Sequence, residues 1–158
     1  MKHVLDVMQE NPPVVSPDMG IRELAELLLE SGRDGFCVVD NGVLVGIVTS
    51  MDLIFQEKRL NLPSLFTFLD SVIPVGVRRT HEELRKIAGA TVADVMSKNP
   101  ITVRFDAGLD QVASLMVERH LSVLPVVREG TLVGEITKPG VLRAVLDAHP
   151  LHGQDGGN

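Results

Sequence analysis

Thr49 and Asp52, in the stretch GIVTSMD, put a hydroxyl and a carboxylate three positions apart, where a β-branched run gives way to a helical pattern. Two chemistries use that spacing. A threonine at a helix N-cap accepts from an amide of the first turn and an acid at the third helical position bonds back to the cap, forming a capping box with Asp in place of Glu or Gln. The same carboxylate can accept hydrogen bonds from both hydroxyls of a ribose, while the threonine and the free N–H groups of the helix start meet a phosphate. The two uses do not exclude each other, and the spacing leaves both open. At an offset of 88 residues, GEITKPG repeats the threonine as Thr137 but has Gly140 where the acid would stand and Pro139 in the first turn.

Other candidate chemistry is thin. Of the histidines His3, His81, His120, His149 and His152, only the tail pair His149 and His152 shows a paired spacing, and none lies with acids on one helix face, so no metal site is expected. His120, beside Arg119 at the end of a helical pattern, reads as a favourable cation at a helix C-terminus. Cys37 is the one cysteine, which excludes an intrachain disulfide and a thiolate cluster and leaves a buried core thiol. No Ser/His/Asp arrangement, phosphate loop or dinucleotide glycine fingerprint occurs, so the chain is not expected to be an enzyme. A net charge of −6 with no Trp and no Tyr argues against nucleic acid, which favours a basic surface and aromatic stacking platforms. No apolar run approaches the length needed to cross a bilayer, and MKHVLDVMQENPP lacks the basic start and long apolar stretch of a signal peptide, so a cytoplasmic location is expected.

The elements that must position Thr49 and Asp52 come from a duplication. The 88-residue offset lays VLDVMQENPPVVSPDMGIRELAELLLESG over VADVMSKNPITVRFDAGLDQVASLMVERH, and FCVVDNGVLVGIVTS over LPVVREGTLVGEITK, without a gap. Identical pairs include Asp6/Asp94, Met8/Met96, Asn11/Asn99, Gly20/Gly108, Gly42/Gly130, Gly46/Gly134 and Thr49/Thr137, spread over turns, strands and helix starts alike. In each copy a short β-rich run, PVVS or ITVR, precedes an amphipathic helix over 20–31 or 107–119. Leu24, Leu27 and Leu28, and Val112, Leu115 and Met116, fall at helical spacing and read as core. FCVVD and LPVV read as buried strands, turned at NG and EG into VLVGIVT and TLVGEIT, and second helices are expected near 50–58 and 139–148. Each copy thus reads strand, helix, strand, strand, helix, with a three-stranded sheet that needs the other copy, across a pseudo-twofold axis, to cover it.

The intervening segment has no counterpart in the duplication. Pro63–Leu69 reads as a short apolar helix carrying Leu65, Phe66 and Phe68, and Thr80–Ile87 as a capped, charged one. Packing on the module or on a partner chain is its expected role.

The doubled order DVM…P…V…D, helix, LPVV, G-x-LVGEIT, helix resembles the CBS domain in the tandem arrangement called a Bateman module. The resemblance implies an α+β fold of two β-α-β-β-α repeats related by pseudo-twofold symmetry, here with a helical insertion between them. The expected divisions are 1–58 and 91–148 for the two domains, 59–90 for the insertion and 149–158 for a flexible tail. It also implies clefts that hold adenosine compounds (AMP, ADP, ATP, NAD or S-adenosylmethionine) as regulatory ligands, with no tightly bound cofactor and no chemistry.

Carried over by position, Thr49 and Asp52 would face a base pocket from the other copy: Thr91, Val95, Met96, Ser122 and Val123. The base would lie between aliphatic side chains such as Met96 and Val123. The reciprocal site would combine Thr137, Lys138 and Gly140 with His3, Asp34, Gly35 and Phe36. It lacks the aspartate and the threonine, so one competent site per chain is expected. The functional expectation is a sensor that signals adenosine-ligand occupancy to an unidentified protein partner; the alternative is a ligand-free dimerisation or scaffold module. A disc-shaped homodimer is expected from surplus apolar residues, Leu53, Ile54, Phe55, Leu65, Phe66, Val141, Leu142 and Val145.

Overall fold

The structure, a computed structural model, describes residues 2–60 and 90–149. The expected helices over Pro63–Leu69 and Thr80–Ile87 and the tail beyond His149 lie outside these residues.

The elements run α1 (Val4–Val7), β1 (Gln9–Glu10), β2 (Val14–Val15), α2 (Ile21–Ser31), β3 (Gly35–Asp40), β4 (Val43–Thr49) and α3 (Ser50–Leu60) in the first copy. The second copy repeats them as α4 (Val92–Val95), β5 (Ser97–Lys98), β6 (Val103–Arg104), α5 (Leu109–Glu118), β7 (Val123–Arg128), β8 (Thr131–Thr137) and α6 (Lys138–Ala148). The fold is α+β, as the alternating patterns predict. α1, α4, β1 and β5 were not anticipated: two polar residues per strand and one turn per helix give no periodicity to detect.

Those short elements change the sheets. Three strands per copy were expected, and four are found, in the orders β2-β3-β4-β5 and β1-β8-β7-β6. β5 pairs antiparallel with β4, and β1 with β8. Each sheet therefore takes one edge strand from the other repeat. The chain accordingly divides into a middle unit, Pro13–Pro100, and a terminal unit, Met1–Pro12 with Ile101–Asn158.

In the middle unit α2 returns the chain so that β2 lies parallel to β3. Its buried face, Ile21, Leu24, Ala25 and Leu28, meets Val15, Phe36, Val38, Val48, Leu53, Val92 and Val95 in one core. Leu53 is thus core rather than surplus surface. The terminal unit repeats the arrangement with Val4, Val103, Val112, Met116, Leu124, Val126 and Ile136. Both hairpins turn with positive φ at two successive residues, Asn41 and Gly42, then Glu129 and Gly130, the twist that suits a two-residue connection. α2 ends on Gly32 (φ 66) and α5 is followed by His120 (φ 52), with the Leu121 amide donating to the Met116 carbonyl. His120 therefore closes a helix by its backbone conformation, a place where glycine is usual.

Docking of the exchanged strand depends on a bare backbone. A Cβ on Gly46 would come within 2.7 Å of Met96 Sδ and 2.8 Å of the Ser97 carbonyl oxygen; on Gly134 it would come within 2.8 Å of Met8 Sδ and 2.9 Å of the Gln9 carbonyl oxygen. Gly46→Ala is therefore expected to destabilise the protein by about 1–3 kcal/mol through overpacking, read as a lower urea midpoint. An unchanged midpoint would show that β5 shifts without cost.

Candidate functional site

The β3–β4 hairpin assembles the site. Its register sets Gly35 opposite Thr49, at the end of β4 that runs into α3. There the Ser50 amide donates to the Asp34 carbonyl at 2.9 Å. A Cβ on Gly35 would lie 2.7 Å from the Val48 carbonyl oxygen and 2.9 Å from Thr49 Cγ2. A bare backbone is thus required at both Gly35 and Gly46, one on each strand of this hairpin.

Asp52 folds back on the helix start. The Thr49 amide donates to Asp52 Oδ2 at 2.8 Å and the Thr49 hydroxyl to the same oxygen at 3.2 Å. Among the described residues no bond reaches Oδ1. α4 packs against α3 in the same unit, and its own start repeats the device: the Thr91 amide and hydroxyl donate to Asp94 Oδ2 at 2.8 and 3.2 Å. In the terminal unit the His3 amide donates to Asp6 Oδ2 at 2.9 Å.

The same cap thus occurs at Asp6, Asp52 and Asp94, so capping by itself accounts for the spacing. Burial separates them: Asp6 and Asp94 are exposed and Asp52 is half-buried. Burial pushes the Asp52 carboxyl above the usual carboxylate range, more than the backbone and hydroxyl bonds from Thr49 pull it down. An anion held at a desolvation cost, with an oxygen unspent, is suited to accept hydrogen bonds from a ligand.

Thr49, Asp52, Thr91, Val95 and Met96 all belong to the middle unit. Val95 is part of its core, and Met96 packs on Gly46. Ser122 and Val123 belong to the terminal unit, where Val123 pairs with Thr137. Lys138 is exposed there, one residue further on. Phe36 lies in the middle unit, fully buried opposite Val48, and its backbone neighbour Gly35, not its ring, adjoins Thr49. Asp34 and Gly35, assigned from the sequence to the reciprocal site, thus stand beside Thr49. Counting the β3–β4 register back from the Asn41–Gly42 turn would have found this, allowing for the irregularity at Val38/Val39.

In the terminal unit α1 packs on α6, which brings Val7 to Gly140. A Cβ on Gly140 would have its nearest neighbours, Thr137 Oγ1 and the Val7 carbonyl oxygen, at 3.7 Å. Space does not require glycine there. What is missing is the carboxylate. Among the described residues no group of three His, Cys, Asp or Glu side chains could hold a metal ion, and no helix is long and apolar enough to cross a membrane.

A doubled β-α-β-β-α unit with exchanged edge strands is the architecture of paired CBS domains. The CBS-domain family model matches residues 4–58 and 92–147, and the chain belongs to that family. It is 34% identical over 148 residues to the CBS domain-containing protein CBSX2, chloroplastic, of Arabidopsis thaliana, covering 87% of this chain and 60% of that protein. The chain thus spans about three fifths of that relative's length. The crystal structure of CBSX2 in complex with AMP superposes with a TM-score of 0.72 at 29% identity, covering 94% of this chain and 98% of that one. The CBS domain pair of protein MJ0100 in complex with 5′-methylthioadenosine and S-adenosyl-L-methionine gives a TM-score of 0.67 at 25% identity, covering 94% and 98%.

Because its pKa is raised on folding, Asp52 keeps a proton in the folded protein at pH values where the unfolded chain has lost it. Its contribution to stability therefore falls as pH rises from the ordinary aspartate range through the raised value. Asp52→Asn retains a cap acceptor without the charge and is expected to flatten that fall. Urea unfolding between about pH 4 and pH 7 reads it; an identical slope in the variant would place the titration elsewhere.

Proposed function

We propose that the chain is a regulatory module that binds an adenosine compound at the Thr49/Asp52 helix start and signals occupancy to a protein partner. The observation that carries this is the half-buried Asp52 carboxylate, its Oδ1 without a bond among the described residues, set at the head of α3 beside Asp34, Gly35 and α4. AMP bound to CBSX2, and methylthioadenosine and S-adenosylmethionine bound to MJ0100, support the ligand class. Asp52 accepts from the ribose hydroxyls, and the Thr91–Met96 segment forms a wall for the base. The terminal unit has Thr137 but no acid, so one ligand binds per chain.

AMP and S-adenosylmethionine are the probes. Either, at about a hundred times its dissociation constant, should add about 2.7 kcal/mol of stability in a thermal-shift assay. Calorimetry should give one ligand per chain. Asp52→Ala and a 2′-deoxy ligand should each weaken binding about tenfold or more, since a hydrogen bond to a charged group contributes about 1.5–3 kcal/mol. Asp52→Ala binding as tightly as wild type would reduce Asp52 to a cap, and no response to either probe would favour the ligand-free scaffold.

The signalling form is a homodimer through the second helices. Met51, Ile54 and Phe55 on α3 and Leu142, Val145 and Leu146 on α6 are exposed large apolar side chains, more than isolated surface residues require. Sedimentation should report a dimer, and Leu142→Glu with Leu146→Glu should raise its dissociation constant about tenfold or more. A wild-type monomer at micromolar concentrations would overturn the dimer.

A further inference from the structure

The terminal unit contains a recess that the adenosine reading does not use. It lies at the hairpin end of the sheet, where β7 ends and β8 begins, lined by Leu5, Met8, Glu10, Asn11, Phe105, Arg128 and Val133. Val133 stands four residues before Thr137, so the recess is about 13 Å along the strand from the α6 helix start. Its volume is about 210 Å³. That is the liquid share of about seven waters, below the usual range for drug-sized ligands, which begins at about 300 Å³.

Its lining is polarised. The Arg128 guanidinium lies over the Phe105 ring at 4.6 Å, which fixes a cation on one wall. Glu10, placed by the pairing of β1 with β8, lines the same space. Among the described residues neither side chain forms an ion pair, although both face one small recess. Met8, Val133, Asn11 and Leu5, the last 54% exposed, complete the lining. Opposite charges that line one recess of mixed polarity without pairing match a small zwitterion: Arg128 suits a carboxylate and Glu10 an ammonium. A lone phosphate would meet Glu10 as a like charge. A purely apolar occupant would desolvate both ions without pairing either.

We propose that this recess binds a free α-amino acid with an unbranched apolar side chain. The middle unit lacks the aromatic part of the site. The counterparts of Glu10, Phe105 and Arg128 there are Lys98, Pro17 and Asp40, which reverse both charges and remove the ring that holds the guanidinium.

Methyl-labelled full-length protein titrated with L-methionine tests this. The Met8 methyl resonance should shift saturably, while that of its counterpart Met96 stays in place. Methioninol, which lacks the carboxylate, and the desamino acid, which lacks the ammonium, should each bind about tenfold more weakly. Glu10→Gln and Arg128→Gln alter exposed side chains and should each cost about the same factor. No saturable shift at millimolar methionine overturns the proposal. So does equal binding of methioninol, or undiminished binding by Arg128→Gln, either of which would mean apolar contact alone.

Discussion

The whole arrangement depends on two places where one strand meets another with no side chain between them. Gly46 and Gly134 sit in the central returning strands of their sheets, and the Met-Ser and Met-Gln steps of the exchanged segments press directly on their α-carbons. Any larger residue would hold β5 or β1 off the sheet by the width of a methyl group. The sheet would then end at a three-stranded edge, and α4, which follows Thr91 and packs on α3, would lose its seat. The candidate site includes Thr91 and Met96 because a glycine in β4 admits them. The packing constraint occurs twice, once in each copy, at Gly46 and Gly134.

Much of this was legible in the residues. The 88-residue offset identified the paired glycines, the hairpins and the helix faces, and Leu24, Leu28, Val112 and Met116 are buried as their spacing requires. Strand exchange was not legible. Gln9–Glu10 and Ser97–Lys98 are polar and two residues long, so their strand character comes from backbone pairing with β8 and β4 and leaves no mark in side-chain hydropathy. The β3–β4 hairpin was legible, but not its residue-by-residue register. That register sets Gly35 opposite Thr49.

The three acid caps show why motif and site must be separated. His3/Asp6, Thr49/Asp52 and Thr91/Asp94 have amide-to-carboxylate distances of 2.8–2.9 Å, so bond length ranks none of them above the others. A cap contributes about 0.5–2 kcal/mol wherever it sits. At an exposed position that contribution costs little desolvation, and the acid needs no further explanation. At Asp52 part of the gain is returned to burial, which is why its carboxyl is pushed up despite two donors. A residue chosen for capping alone would do better nearer to water.

Gly140 completes the comparison from the opposite side. The helix there has no acid cap, yet α6 runs over Lys138–Ala148. Its stability comes from elsewhere: Ala144 is buried in the terminal unit, and Lys2 Nζ donates to the Ala144 carbonyl at 3.3 Å while lying 4.0 Å from Asp147. Pro139 in the first turn fits a helix start, where its missing amide would have had no intrahelical acceptor. Tertiary anchoring can therefore replace the cap, and the fold does not need a carboxylate at this helix start. The fold thus does not dictate an acid at this helix start, and at Asp52, where burial opposes the charge, capping alone is an incomplete account of the carboxylate.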